Sequence, residues 1–221
     1  MALSDKEKQS SAWREQLTQT WQTLRYKIRT TQPAAQSGMG AVPHVGGTIF
    51  RVWAPNAEAV YVTGSFNNWH RSQIPLAREE DGYWSINVPE AHIGDTYKFV
   101  LKCNGQHLLR TDPYAKDVRA PYQDGVVRNG FTPGIATAVP PITTSFQPPA
   151  LSELVIYELH VGTFGDEDGN PPYSFAGVIK KLPYLRILGI NAIELMPVKA
   201  FPGALSWGYN PSHPFAISQI Y

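Results

Sequence analysis

The chain has 221 residues, of which 43% are hydrophobic and 12% aromatic, enough to bury a core in one large or two smaller domains. Nineteen Lys and Arg against eighteen Asp and Glu leave a formal charge of +1, and no dense basic run points to nucleic acid. No stretch approaches the ~20 apolar residues of a membrane span, and the first residues lack the apolar centre of a signal peptide. We therefore expect a soluble cytoplasmic protein without a nucleic-acid or membrane partner. Its single cysteine, Cys103, excludes an internal disulfide.

The first predicted element is an amphipathic helix over residues 1–31. Apolar side chains recur there at steps of three and four, at Trp13, Leu17, Trp21, Leu24 and Ile28. We interpret it as a helix that packs on a neighbouring domain, with a partner-binding helix as the alternative. Residues 32–47, with two prolines and four glycines, are predicted to form a linker.

The pattern changes to a period of two after Thr48. Half-buried strands are predicted around residues 50–54, 60–62, 84–88 and 97–101. Turn signals separate them, and the last is Asn104-Gly105, the preferred pair for a two-residue hairpin turn. Strands at this spacing predict an immunoglobulin-like β-sandwich over residues 48–132. A second linker, rich in proline and threonine, is predicted over residues 133–149.

The last part of the chain reads as strand, helix and strand. The strands are VIYELHV (155–161) and INAIELMPV (190–198), and the helix between them is capped by Ser174 and ended by Gly189. This order predicts a right-handed βαβ unit of a parallel sheet. Pro183 falls inside the helix, so we expect a kink or a break near Lys181.

These segments carry a family resemblance. "VIYELHVGTF", "LGINAIELMPV" and "SWGYNP" resemble, in this order, the first strand, the second strand and the following loop of the α-amylase family of glycoside hydrolases. Upstream, "FRVWAPNAEAVYVTGSFNNW", "YKF" and "DPYA" resemble the glycogen- and starch-associated β-sandwich of branching and debranching enzymes, and also the glycogen-binding module of the AMP-activated kinase β subunit. The resemblance makes residues 150–221 the start of a catalytic barrel. The predicted architecture is multidomain: an N-terminal helix, an immunoglobulin-like β-sandwich module and the first βαβ unit of a truncated (β/α)₈ TIM barrel.

The resemblance implies a reaction on α-glucan, such as glycogen, a starch-like polysaccharide or malto-oligosaccharides. Family members use a retaining mechanism whose carboxylates come from later barrel strands. The resemblance therefore implies no catalytic residue in this chain. We interpret the chain as an N-terminal fragment. The "GSFNNW" version of the module favours a 1,4-α-glucan branching enzyme. Malto-oligosyltrehalose trehalohydrolase, isoamylase-type debranching and a non-catalytic glucan-binding module remain alternatives. No organic cofactor and no metal site are expected.

Tyr209 is the active-site residue that the resemblance carries over. It matches the family tyrosine that stacks on the sugar bound just before the scissile bond, and Trp207 is a candidate to support it. The alternative is a loop in which both rings only pack. Glu158 and Glu194 lie on the predicted barrel strands but match no catalytic position of the family.

A second candidate site lies in the module. The family positions that hold glucan correspond to Trp69 and Lys98, with Asn68 nearby. A stacking ring beside hydrogen-bond donors suits a pyranose. The second tryptophan of the relatives is replaced, since "NGQHLLR" offers His107 instead. A working site, weak binding and a purely structural module therefore all remain open.

Overall fold

The computed structural model describes residues 38–119, 123–129, 147–165, 174–203 and 206–221. The helix predicted over residues 1–31 and most of the linker predicted over residues 133–149 lie outside the described residues. The chain divides into two compact units. The first ends at Ala115 and includes Asp124–Arg128, and the second comprises Lys116–Gln123 and Asn129–Tyr221.

The first unit is built from short antiparallel strands in two sheets. They are β1 (Gly40–His44), β2 (Gly47–Trp53), β3 (Ala59–Gly64), β4 (Ile74–Pro75), β5 (Ala77–Arg78), β6 (Tyr83–Val88), β7 (Thr96–Cys103), β8 (Gln106–Arg110) and β10 (Asp124–Val126). Strand β9 (Val118–Arg119) belongs to the second unit. One sheet has the order β1-β2-β6-β5. The other runs β4-β3-β7-β10, and β8 also pairs with β7.

The core of the first unit lies between the two sheets. Phe50 on β2 is fully buried, and its ring centroid lies 4.9 Å from that of Tyr97 on β7. The predicted alternation holds from Phe50 to Trp53, because Val52 is buried whereas Arg51 is half-buried and Trp53 is exposed. It does not extend to Ile49, which is on the other face from Phe50 but is also buried. Residues of both sheets share one apolar cluster, which confirms the predicted immunoglobulin-like sandwich.

The hairpin predicted at Asn104-Gly105 is confirmed. Cys103 on β7 pairs with Gln106 on β8, which leaves a two-residue loop. Asn104 and Gly105 take φ of 50° and 74°, and this left-handed pair matches the right-handed twist of the flanking strands.

The prediction that residues 32–47 form a linker is wrong for its C-terminal part. Gly40–His44 is strand β1, and it pairs antiparallel with β2 along its whole length. Pro43 has no N–H to give to a ladder, but β1 is the edge strand of its sheet and tolerates a proline. Gly40 has a φ of 78°, a conformation that glycine adopts without strain. The proline and the glycines that indicated a linker are therefore also compatible with an edge strand and with the chain that leads into it.

The second unit contains the predicted strand, helix and strand. They are β11 (Ile156–Leu159), α1 (Phe175–Ile187) and β12 (Ala192–Leu195), and β11 pairs with β12 in parallel. A 3₁₀ turn at Leu151–Glu153 precedes β11. Leu159, Val161, Val178 and Leu185 form the buried cluster beneath the helix.

Both ends of α1 form as predicted. Ser174 is the N-cap, and its Oγ accepts the N–H of Gly177 at 3.4 Å. At the other end Gly189 has a φ of 91°, and its N–H donates to the carbonyl of Arg186 at 3.1 Å. A polar cap and a C-terminal glycine therefore set the length of the helix.

Of the kink or break predicted near Lys181, the break does not occur. The helix is continuous from Phe175 to Ile187 with Pro183 inside it. Pro183 is exposed, and Ile179, whose carbonyl loses its helical partner, is 64% exposed. Because both residues lie on the open side of the helix, water is available to that carbonyl. No helix among the described residues is long and apolar enough to cross a membrane.

Candidate functional site

The turn after β3 presents Trp69 in an unusual backbone conformation. A 3₁₀ turn at Ser65–Asn67 is followed by Asn68 and Trp69, with φ of 53° and 61°. Asparagine tolerates the left-handed region, but a tryptophan there is a genuine outlier, and such conformations cost on the order of 1–3 kcal/mol. The indole is 36% exposed. The turn therefore holds an aromatic side chain at the surface at the expense of backbone strain.

Asn67 is the residue that holds this turn in place. Its Oδ1 accepts the N–H of Gly64 at 2.9 Å and the hydroxyl of Thr63 at 3.3 Å. Its Nδ2 donates to the carbonyl of His70 at 3.0 Å. In addition, the N–H of Trp69 donates to the carbonyl of Gly64 at 2.9 Å. Sequence reasoning missed Asn67; the available signal was an asparagine in a turn, a residue whose amide mimics backbone.

Lys98 lies at the same end of the β3–β7 pair as this turn. It pairs with Thr63, the residue directly before Gly64. Its Nζ, however, lies 3.0 Å from Oδ1 of Asp124, and the two side chains are only 14% and 15% exposed. The ammonium therefore ties β7 to β10, and it is engaged with a carboxylate before any ligand arrives.

His107 lies at the opposite end of the same sheet face. It pairs with Lys102, four residues beyond Lys98 on β7, which corresponds to about 13 Å along a strand. The ring of His107 lies 6.2 Å from that of Tyr61, centroid to centroid. Tyr61 was missed in the sequence, although its alternation with the buried Val60 places it on the outward face. The structure thus places a tyrosine and histidine pair at this end, away from Trp69.

The loop that carries Trp207 and Tyr209 is ordered by Ser206. The Ser206 hydroxyl donates to Oδ1 of Asn210 at 2.6 Å and accepts the N–H of Gly208 at 3.0 Å. Gly208 has a φ of 85°, and a Cβ there would overlap the carbonyl oxygen of Pro197. The rings on either side of it are open to solvent, with Trp207 71% and Tyr209 66% exposed.

The chain on both sides of this loop is tied together. Ala200 donates its N–H to the carbonyl of Ala216 at 2.9 Å and accepts the N–H of Ser212 at 2.8 Å. His213 is buried, and its Nδ1 lies 2.9 Å from the Ser212 hydroxyl. Burial lowers the pKa of His213 and so favours the neutral ring. His213 therefore acts as part of the framework.

The C-terminal end of β11 carries a second histidine. Nε2 of His160 lies 2.8 Å from the hydroxyl of Tyr221, and Nδ1 lies 3.2 Å from the hydroxyl of Thr163. On the strands themselves, Glu158 and Glu194 are exposed and directly opposite each other in the parallel register. The two carboxylates are thus neighbours on one face of the pair.

The structure brings the predicted site residues together in two groups, one in each unit. Trp69, Asn68 and Lys98 lie in the first unit, and Trp207 and Tyr209 lie in the second. Within the described ranges, no group of three or more His, Cys, Asp or Glu side chains is arranged to hold a metal ion.

Residues 38–115 match the family model of carbohydrate-binding module 48, the isoamylase N-terminal domain. This range begins at the approach to β1 and ends at Ala115, after the "DPYA" segment. Strands β1 to β8 of the described sandwich lie within the matched range.

The chain is also similar to 1,4-α-glucan branching enzymes, over more residues than the module spans. The chain is 38% identical to the enzyme of Nitrobacter hamburgensis over 177 residues, 78% of this chain and 24% of the relative. It is 35% identical to the enzyme of Salinibacter ruber over 197 residues, 83% of this chain and 31% of the relative. The predicted resemblance to these enzymes is confirmed. The chain spans about a quarter to a third of the length of the curated relatives it matches.

Two solved pullulanase structures have a similar fold. A pullulanase from Anoxybacillus, solved with maltotetraose, superimposes with a TM-score of 0.65 at 25% identity, covering 85% of this chain and 30% of the pullulanase. The group B Streptococcus pullulanase SAP, also solved with maltotetraose, gives a TM-score of 0.63 at 25% identity, over 87% of this chain and 30% of SAP.

Proposed function

We propose that this protein acts on α-1,4-glucan as a 1,4-α-glucan branching enzyme. In this proposal the described residues supply a glucan-binding module and the start of the catalytic barrel. The observation that carries it is the match of 38% identity over 177 residues. This match is much longer than the module, which spans only residues 38–115. The match therefore covers much of the second unit as well.

Exposed apolar residues of the second unit favour the proposal that a barrel begins at β11. Ile156 on β11 and Leu195 on β12 are 54% and 46% exposed, although both are large apolar residues on paired strands. Parallel sheets are normally covered on both faces. The exposed apolar faces favour β11 and β12 as two strands of a larger parallel sheet.

The Ser206–Asn210 loop supports a sugar-binding role next to the reacting bond. Tyr209 and Trp207 present exposed rings on a loop that the Ser206 hydroxyl fixes. A fixed ring stacks on the apolar face of a pyranose with little loss of side-chain entropy. We assign Tyr209 this stacking role and Trp207 a supporting one. The acid and nucleophile of a retaining reaction are not assigned to any residue of this chain.

The first unit supports a separate glucan contact. Trp69 supplies the stacking ring and Asn68 an amide that hydrogen-bonds to sugar hydroxyls. Because Lys98 is paired with Asp124, its ammonium contacts a sugar only while sharing that carboxylate. The two pullulanase structures solved with maltotetraose favour an α-glucan as the ligand.

Debranching is the second candidate reaction. It is favoured by the pullulanases among the similar solved structures, at 25% identity. Identity to the branching enzymes is higher, at 38% for the Nitrobacter hamburgensis enzyme. Branching is therefore the preferred proposal.

A chimera tests the proposal. Residues 38–221 replace the matching segment of the Nitrobacter hamburgensis enzyme, and new α-1,6 branches in amylose are counted as chain ends released by a debranching enzyme. We expect branch formation, an at least tenfold loss of kcat/KM in Tyr209→Ala, equivalent to ~1.4 kcal/mol, and recovery in Tyr209→Phe, which keeps the ring. A folded chimera that forms no branches, or that works equally well with Tyr209→Ala, would overturn the proposal.

A further inference from the structure

The outward face of the β1-β2-β6-β5 sheet carries an aromatic pair that the proposed function does not use. Trp53 on β2 and Tyr83 on β6 are direct register partners. Directly opposite residues of an antiparallel pair point to the same face with Cβ atoms about 5 Å apart. The two rings therefore lie side by side on the surface of the module.

Trp53 is exposed but its position is fixed. The indole is 58% exposed, and its Nε1 donates to the carbonyl of Asp81 at 3.0 Å. Trp84 provides a contrast within the same sheet, since it is 6% exposed and its Nε1 donates inward to the carbonyl of Ala54 at 3.0 Å. A ring held by its edge leaves its face free to stack on a ligand at little cost in side-chain entropy.

An open pocket of about 730 Å³ lies beside the Tyr83 ring and extends to Asp81, whose carbonyl accepts the Trp53 Nε1–H. It is lined by Arg51, Arg78, Glu79, Glu80, Asp81 and Tyr83. Its floor is rigid, because the Arg51 guanidinium binds Glu79 through Nη2 at 2.7 Å and through Nε at 3.0 Å. The same guanidinium lies 4.4 Å from the centroid of the Tyr83 ring.

The rim of the pocket offers charged side chains that form no hydrogen bond or ion pair with any other described residue. Among the described residues, the carboxylates of Glu80 and Asp81 accept no hydrogen bond and form no ion pair, and both residues are exposed. The Arg78 guanidinium lies 5.5 Å from the Trp84 ring centroid and forms no ion pair within the same part of the chain. Asp81 has a φ of 56°, in the left-handed region that aspartate tolerates.

The charges of the pocket indicate the class of ligand. Arg51 and Glu79 neutralise each other, which leaves one cation, Arg78, and two anions on the rim. A net negative rim disfavours phosphate, nucleic acid and other anions. Planar carboxylate and guanidinium groups beside an exposed indole instead match a neutral ligand with apolar faces and many hydroxyls.

We propose that Trp53, Tyr83 and the pocket beside them, here termed the Trp53 face, form a second α-glucan-binding site of the module. This inference rests on the proposed function, in which the protein handles α-glucan. Trp53 stacks on a pyranose, while Arg78 and the Glu80 and Asp81 carboxylates bind its hydroxyls. Trp69 follows β3 of the other sheet, so the Trp53 face is separate from the glucan contact proposed at Trp69.

The test is a titration of the ¹⁵N-labelled 221-residue chain with maltoheptaose, followed by indole N–H signals in ¹H–¹⁵N correlation spectra. Single tryptophan substitutions assign the signals of Trp53, Trp69 and Trp84. We expect the Trp53 signal to move saturably, to do so equally in Trp69→Ala, and to leave the buried Trp84 signal in place. Arg78→Gln is expected to weaken the Trp53 response at least about tenfold, as for a lost hydrogen bond to a charged group, without changing the Trp69 response.

Four outcomes contradict the inference, and they are distinguishable. A static Trp53 signal beside a moving Trp69 signal overturns the second site and leaves the proposed function intact. If neither the Trp53 nor the Trp69 signal moves in a folded chain, the second site and the proposed function are both contradicted. A Trp53 response that disappears in Trp69→Ala indicates one site only. A Trp53 signal that shifts with protein concentration without sugar identifies this face as a contact between copies of the chain.

Discussion

The hydroxyl of Tyr97 donates a 2.6 Å hydrogen bond to Oδ2 of Asp112, and the two residues are 1% and 0% exposed. Oδ1 of Asp112 accepts the N–H of Tyr114 at 2.9 Å. Burial raises the pKa of Asp112 to about 6 even though both hydrogen bonds lower it. Burial, together with Asp112, also raises the pKa of Tyr97. At neutral pH the module therefore holds an ionised carboxylate in its interior.

This carboxylate makes the stability of the module depend on pH. The pKa of Asp112 is higher in the folded state than its ordinary value of 3.8, so the folded state keeps the proton longer than the unfolded chain. The stabilisation that this proton gives the folded state is complete below about pH 4, and it is lost as the pH rises towards 6. We expect the loss to be on the order of 3 kcal/mol.

Asp112→Asn isolates this contribution, because the amide has the same shape and does not titrate. The measurement is the free energy of unfolding in urea at pH 4 and pH 7 for both proteins. The wild type should lose stability relative to Asp112→Asn between the two pH values. An unchanged difference would contradict the raised pKa.

The ion pair of Arg51 and Glu79 has the opposite pH dependence. Partial burial alone would raise the pKa of Glu79, but hydrogen bonds from Arg51 and Ser85 and the charge of Arg51 lower it below its usual value. Its contribution is therefore present above about pH 4.5 and is lost as the pH falls. We expect Glu79→Gln to reduce the free energy of unfolding by about 1 kcal/mol at pH 7, since the pair is bidentate but only partly buried.

Glu58→Gln is the matched control for this pair. Glu58 lies 3.4 Å from Lys102, and both side chains are more than 40% exposed. Solvent screens such a pair, so no measurable change is expected. Equal losses in the two variants would show that the geometry of the Arg51 pair does not matter.

Asn67 should determine both the stability of the Trp69 turn and the binding of glucan there. Asn67→Ala removes all of its hydrogen bonds and leaves the buried N–H of Gly64 without a partner, so we expect a loss of ~1–3 kcal/mol. The affinity for glycogen should fall with it, because the strained backbone of Trp69 is then free to relax. Asn68→Gly is a control for stability alone, because its amide is one of the proposed sugar contacts: glycine accepts the φ of 53°, and stability should stay within about 0.5 kcal/mol. Full glycogen affinity in a folded Asn67→Ala protein would exclude this positioning role.

Local patterns predicted most of the fold. The alternation from Phe50 to Trp53, the Asn104-Gly105 turn, the Ser174 cap and the Gly189 stop each depend on interactions within a few residues, and each is confirmed. Strand β1 was missed because Pro43 and the nearby glycines are typical of a linker, and only its place at a sheet edge makes them acceptable. The continuous helix through Pro183 likewise depends on which side of the helix is open, which the sequence does not specify.

The candidate site was predicted less completely than the fold. The motifs identified Trp69 and Tyr209, but they did not show that Lys98 is paired with Asp124. That pairing joins two strands distant in sequence, so no local spacing indicates it. The roles of Asn67 and Tyr61 depend in the same way on the turn geometry and the register of β3.

Gly208 should be essential for the conformation of the Ser206–Asn210 loop. Gly208→Ala places a Cβ against the carbonyl oxygen of Pro197, at a φ of 85°. Gly203→Ala is the matched control, because its φ is 90° but nothing lies within 4 Å of the added atom, so it costs only ~1–2 kcal/mol of backbone strain. Hydrogen exchange of the Ser206–Asn210 amides should accelerate in Gly208→Ala and not in Gly203→Ala. Similar exchange in both variants would show that the contact with Pro197 has no effect.

We propose that the module binds α-glucan through Trp69, and affinity electrophoresis of the 221-residue chain in gels containing glycogen measures this binding. We expect the wild type to be retarded in proportion to the glycogen concentration, and Trp69→Ala to have at least about tenfold lower affinity, as for the loss of a stacking ring. A folded wild-type chain that runs without retardation, or a Trp69→Ala variant that is retarded to the same extent, would contradict the claim.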